Sequence, residues 1–215
     1  MTARRRPQIA SRKQPRQARS NDLVAAVLEA ALQVLATEGA HRFTTTRVAE
    51  KAGVSVGSLY QYFPNKAAIL FRLQSDEWNR TTAMLCAIID DAGTPPLERL
   101  RSMVHAFVRS ECEEAAMRVA LNDAAPLYRD APEASAARAA GEAAIAAFMR
   151  ETLPRASPAT RALAADLLMD TFTAVGKQFS ERSRTPDEIA AYADALADML
   201  CAWLERLAAR SGPSD

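Results

Sequence analysis

Between Thr44 and Phe63 two short apolar-periodic segments meet at a single glycine, and that junction limits what the chain can fold into more than any other feature. The first segment is predicted to be a helix from a Thr44 or Thr45 cap through Ala52, ended by Gly53. The second is predicted to run from Ser55 to Phe63, where Pro64 prevents continuation. Two short helices that cross steeply need small residues at the contact and a turn residue that tolerates φ > 0. Ala49 is small where the helices would approach, and Gly53 sits at the turn. Ser55 follows it, placed to cap the second helix. Val48, Ala52, Val54 and Leu59 supply the apolar positions that face inward.

The flanks are helical too. From a Ser20 or Asn21 cap, Val24, Val27, Leu28, Ala31, Leu32 and Leu35 recur at helical spacing up to Gly39. Asn65 can cap a longer helix reaching about Ile89, before Gly93-Thr94-Pro95-Pro96 breaks the chain. Five more segments follow: Leu97 to about Glu114; Ala115 to Arg129, kinked or ended by Pro126; Pro132 to Leu153; Ser157 to about Arg182; and Pro186 to about Arg210. No sustained alternation and hardly a hairpin dipeptide occurs, so the predicted fold class is all-α.

Charge divides the chain unevenly. Its 27 basic and 26 acidic residues nearly cancel. Residues 1–66 nevertheless hold eleven basic against four acidic residues, leaving the rest acidic. Seven of the basic residues lie in 1–19, which reads as a flexible arm without apolar periodicity. A basic end on an otherwise acidic chain is the electrostatic footprint of nucleic-acid binding. The arm itself reads either as a solubilising tail or as a minor-groove or phosphate-tracking segment.

The second short helix can be read by angle. With Leu59 and Phe63 against the core, the opposite arc holds Tyr60, Gly57, Gln61, Ser58 and Tyr62. Hydroxyl and amide groups on such a face reach base edges and phosphates in a major groove, and Gly57 permits close backbone approach. The whole run Phe43-Thr44-Thr45-Thr46-Arg47-Val48-Ala49-Glu50-Lys51-Ala52-Gly53-Val54-Ser55-Val56-Gly57-Ser58-Leu59-Tyr60-Gln61-Tyr62-Phe63-Pro64-Asn65-Lys66 resembles the DNA-binding signature of the tetracycline-repressor-like (TetR) family. That likeness extends from about residue 20 to residue 75.

The resemblance implies a helix-turn-helix domain over 20–66, with its motif at about 44–63, and a helical ligand-binding and dimerisation body over 67–215. It implies that Thr44 contacts phosphate, that Val56, Gly57, Ser58 and Tyr60 lie on or near bases, and that Tyr62 and Lys66 hold the backbone. Val56 departs from a hydrogen-bonding residue there, leaving packing on a thymine methyl. With Thr45, Ser55 and Gln61, these residues make up the candidate DNA-contacting set. The implied partners are double-stranded DNA with a pseudo-palindromic operator, a small apolar or amphipathic effector that lowers DNA affinity, and a second copy of the chain.

In the body, Met103, Phe107, Met117, Phe148, Met169 and Phe172 are candidates to line an adaptable apolar pocket, or simply to build a core. Ile189, Tyr192, Leu196, Met199, Trp203 and Leu207 follow alternating three- and four-residue spacing. They form a bundle seam that closes either the body's own core or a dimer. The resemblance favours a dimer, with Leu196, Met199, Trp203 and Leu207 as its candidates. Leu163, Leu167, Thr171, Ala174 and Gln178 give a weaker seam one helix earlier.

Several other chemistries are set aside. Three scattered cysteines and two histidines form no zinc pattern, so no metal or cofactor is expected. Cys112 has nothing in its local sequence that would lower its pKa, and His105 reads as a core or boundary histidine. Gly53-Val54-Ser55-Val56-Gly57 matches the G-x-S-x-G nucleophile elbow, but a helix precedes it where that motif needs a strand, so no catalytic residue is expected. No apolar run is long enough to span a bilayer, and no secretory signal is visible, so a cytoplasmic setting is expected. A helical binding module whose basic arm meets an acidic partner would explain the charge asymmetry. It would leave the spacing of Ala49, Gly53, Leu59 and the tyrosines unexplained.

Overall fold

A computed structural model describes residues 18–113, 115 and 132–211 of the chain. Among them lie eight α-helices, one 3-10 turn and no strand. The helices are α1 (Ala18–Glu38), α2 (Thr45–Lys51), α3 (Val56–Tyr62), α4 (Lys66–Ile89), α5 (Pro96–Glu113), α6 (Pro132–Thr152), α7 (Pro158–Ser180) and α8 (Pro186–Arg210). The arm up to residue 17, Met117 and, beyond its first residue, the predicted segment kinked at Pro126 fall outside the described residues.

Contacts divide these residues into two compact units, one reaching Trp78 and including 132–135, the other made of 79–113, 115 and 136–211. The division falls inside α4, beyond the residue-66 boundary read from the sequence. The physical reason is that Ala68, Ile69, Leu70 and Leu73, in the first half of α4, are buried in the first unit's core.

In the first unit α1 begins at Ala18, earlier than a Ser20 or Asn21 cap would place it. Alanine and arginine are good helix formers and carry the helix back past those residues. At its other end Gly39 adopts φ +74°, and its N–H donates to Leu35 O at 3.0 Å. The 3-10 turn Ala40–Arg42 then leads to the buried Phe43. Val27, Ala31, Val48, Ala49 and Leu59 are wholly buried, so α1, α2 and α3 close on one apolar centre. Asn65 caps α4, its Oδ1 accepting the Ala68 N–H at 2.9 Å.

In the second unit α5 packs along α8 and against α7. Proline opens α7 and α8, behind Ser157 and Thr185 as caps. At α8 the cap is reciprocal: Thr185 accepts the Glu188 N–H while Glu188 accepts the Thr185 N–H at 2.8 Å. That backbone hydrogen bond is the main reason Glu188 lies below the usual glutamate range.

A charged residue sits deep in this second core. Arg99 on α5 is 3 % exposed. Its Nη1 donates to Ile89 O at 2.5 Å, tying down the C-terminal carbonyl of α4, and its Nη2 bonds the Glu151 carboxylate on α6. The guanidinium also lies 5.8 Å from the Phe148 ring centroid. Removing it strands a helix-terminal carbonyl in the core, whereas Glu151 is half exposed and can turn to water. Arg99→Ala should therefore cost about 1.5–3 kcal/mol of stability, and Glu151→Gln clearly less. Urea unfolding of both variants reads the difference. Equal losses would mean that the ion pair, rather than the carbonyl contact, holds this end of α4.

Candidate nucleic-acid interface and effector cavity

The corner between α2 and α3 is closed by backbone geometry. Gly53 adopts φ +66°, its N–H donates to Glu50 O at 3.2 Å, and the Val54 N–H reaches back to Ala49 O at 3.0 Å. This pair of bonds is the Schellman closure that a left-handed residue after a helix permits. The chain leaves α2 and enters α3 with only Val54 and Ser55 between glycine and helix. Ser55 Oγ caps α3 by accepting the Ser58 N–H at 3.0 Å, and Thr44 Oγ1 caps α2 by accepting the Arg47 N–H at 3.3 Å. The G-x-S-x-G run thus lies on a helix-to-helix turn with its serine oxygen engaged as a cap.

Most of the residues singled out by angle stand at the surface. Gly57, Tyr60 and Gln61 are exposed and Ser58 is half-buried. A Cβ on Gly57 would meet only Ser55 Oγ at 3.8 Å, so internal packing does not require a glycine there. Thr44, Ser55 and Lys66 are exposed, Thr45 and Val56 half-buried. Thr45 Oγ1 and the Tyr60 hydroxyl stand 3.1 Å apart, linking α2 to α3.

Tyr62 departs from expectation. It is 8 % exposed and belongs to the first unit's core. Three residues after Leu59, it shares that residue's inward face, a neighbour relation the angular reading passed over in placing it outward. Among the nearby cations, Arg47 pairs with Glu38. Lys66 stands at the first residue of α4, at the positive end of the helix dipole.

The second unit holds a cavity of about 130 Å³ between α4, α5, α6 and α7. Four of the sequence candidates line it: Met103, Phe107, Met169 and Phe172. The two phenylalanine rings lie 4.8 Å apart and tilted. Phe148 is buried beside Arg99 and is not among the cavity's described walls.

The sequence reading missed the α4 wall of Thr82, Leu85, Cys86 and Ile89, although these residues recur at i, i+3, i+4 and i+7. It also missed Gly141, where an added Cβ would meet nothing within 4 Å. Gly176 packs so tightly on Phe107 that a Cβ would stand 2.6 Å from its ring, so the glycine is what lets that ring lie against α7. Burial, helped by Asp90, raises the Cys86 thiol and keeps it protonated.

The predicted dimer seam divides. Leu196 is 6 % exposed and faces the unit's own core, while Met199 is 56 % exposed; Trp203 and Leu207 are half-buried. The weaker seam is the more open one, with Leu163 at 66 % and Leu167 at 46 %. Tyr192 stacks on Phe179, ring centroids 3.9 Å apart. His105 lies at the α5–α8 boundary, hydrogen-bonded to Asp194 at 3.1 Å. Among the described residues no cluster of three or more His, Cys, Asp or Glu could hold a metal, and no helix is long and apolar enough to cross a membrane.

Residues 27–73 match the model of bacterial regulatory proteins of the tetR family, and residues 95–207 match the tetracyclin repressor-like C-terminal domain. The nucleoid occlusion factor SlmA of Vibrio campbellii is 38% identical over 80 residues, 37% of this chain and 40% of that protein. The repressor KstR of Mycolicibacterium smegmatis is 36% identical over 78 residues, 36% of this chain and 38% of that protein. The chain thus matches about two-fifths of the length of these curated relatives.

The fold likeness is broader. FadR of Bacillus subtilis, solved in complex with stearoyl-CoA, superposes with a TM-score of 0.64 at 15% identity, covering 82% of this chain and 97% of that one. KstR2 of Mycobacterium tuberculosis superposes with a TM-score of 0.59 at 20% identity, covering 91% and 97%. With its C-terminal match alone spanning more than half its length, the chain belongs to the TetR family of bacterial transcriptional regulators.

Proposed function

We propose that this protein is a ligand-responsive repressor whose homodimer binds a pseudo-palindromic operator and is released by an apolar or amphipathic small molecule. The observation that carries this reading is the course of α4. The helix starts with Lys66, a few residues after the end of α3, gives its first half to the first unit's core, and lines the cavity with Thr82, Leu85, Cys86 and Ile89. One continuous helix therefore contributes both to the core of the reading head and to the wall of an apolar chamber. A ligand that displaces that wall bears on the head through the helix.

On this reading Thr44, Ser55, Gly57, Ser58, Tyr60, Gln61 and Lys66 contact DNA, Thr45 stands against Tyr60 at their edge, and Val56 packs on a base methyl. Tyr62 supports α3 from within. Met103, Phe107, Met169 and Phe172 contact the effector. The exposed Leu163, Leu167 and Met199 supply apolar area for a second copy, in place of Leu196. The stearoyl-CoA bound to the Bacillus subtilis relative supports an effector with a long apolar part. To release DNA, the ligand must favour the non-binding arrangement by about a few kcal/mol.

Selection from a random-sequence duplex pool at about 150 mM salt, where phosphate-only binding is weak, should recover one palindromic motif. Its half-sites should be centred about 34–36 Å apart, one helical turn. Recovery of no motif at that salt or below it, from protein freed of any co-purified ligand, would contradict the reading. Lys66→Ala should weaken binding to every sequence alike and lower the salt slope by about one unit for each phosphate that the lysine had neutralised. An unchanged slope would remove Lys66 from the interface.

A further inference from the structure

Two hydroxyl groups from different helices meet on the reading head. Thr45 Oγ1, in the first turn of α2, and the Tyr60 hydroxyl on α3 are 3.1 Å apart. Thr45 is half-buried and Tyr60 is exposed, with 38 % of its surface open to solvent. Proton counting then limits what the pair can do. Two hydroxyls carry two protons, and one of these bridges the two oxygens. The other is left pointing away from the pair. Whichever oxygen donates inward, the pair offers the outside one O–H donor.

Facing an acceptor on DNA, the favourable order runs from Thr45 to Tyr60 to the acceptor. The phenol is the more acidic hydroxyl, so it makes the stronger donor, and the bond it accepts from threonine polarises it further. The chemistry recognised is a hydrogen-bond acceptor with a free lone pair. On a duplex that is a phosphate oxygen or a major-groove atom such as guanine N7 or thymine O4. Pairing also fixes the phenol before DNA arrives, so less side-chain freedom is lost on binding.

We propose that Thr45 is a positioning residue for Tyr60: the pair offers one O–H donor, and the bond between the two hydroxyls fixes its direction and strengthens it. This rests on the reading of α3 as the DNA-facing helix, and the test separates the two. The operator is first taken from the random pool with the parent protein; failure at that step overturns the DNA reading itself. Operator affinity is then measured for Thr45→Val, Tyr60→Phe and the double variant, which keep shape and ring while removing hydroxyls.

With the pair present once in each half of a dimer, Tyr60→Phe should weaken binding by about thirtyfold, Thr45→Val by about tenfold, and the double change by no more than Tyr60→Phe alone. Thr45→Ser should stay within about threefold of the parent. Thr45→Val should have no effect in the Tyr60→Phe background, where a merely structural fault in α2 would persist. A loss equal over all sequences identifies the acceptor as phosphate, and one confined to a single base pair identifies a base edge. Losses that multiply to about three-hundredfold in the double variant, or Thr45→Val at parental affinity, would overturn the proposal.

Discussion

Gly53 holds a backbone angle of φ +66°, a region that side-chain-bearing residues rarely adopt, and the head of the molecule is organised around that turn. Because the chain reverses there, the Gly53 and Val54 amides satisfy the last carbonyls of α2, and Val54 packs against the core. Because the turn is short, Ser55 arrives where it can cap α3. The remaining details follow from that placement: Leu59, Tyr62 and Phe63 bury one side of α3, while Gly57, Tyr60 and Gln61 remain outside. A residue with a Cβ at position 53 would meet no neighbour within 4 Å, so the constraint there is torsional rather than steric crowding.

The second unit depends on a different device. Arg99 binds the carbonyl of Ile89, the last residue of α4, and Ile89 also lines the cavity. A buried guanidinium is a costly way to satisfy one carbonyl and one carboxylate, because desolvating the charge opposes the gain. Its geometric consequence is that the end of α4 is fixed to α5 and α6 at the edge of the chamber. Met103 and Met169 give that chamber adaptable walls, whereas the contact between Phe107 and Gly176 leaves little slack on the α7 side.

Much of this was legible in the sequence because the signals are local. Caps at Thr44 and Asn65, the stop at Gly53, and prolines opening α7 and α8 depend on neighbours within one turn, and periodicity supplies the helices between them. What the sequence could not assign depends on which apolar face meets which neighbour. The last helix is apolar on more than one side, so spacing alone cannot send Leu196 inward and Met199 outward. Tyr62 was placed by its arc on α3 although it lies one turn from Leu59. The cavity wall on α4 is periodic, but nothing local distinguishes a wall from a connector. Arg99 lies beside Glu98 on a helix with other charges, and only long-range packing shows it to be buried.

The central claim is that filling the cavity weakens operator binding, and it can be tested without knowing the effector. Gly141 lines the chamber and a Cβ there would meet nothing within 4 Å, so Gly141→Phe can add a ring at the chamber's wall without a clash at its Cβ. The decisive quantity is the operator dissociation constant of a folded, dimeric Gly141→Phe protein relative to the parent. The account predicts a rise of at least about tenfold with no ligand added. Parental affinity in a protein whose cavity is demonstrably filled would contradict it.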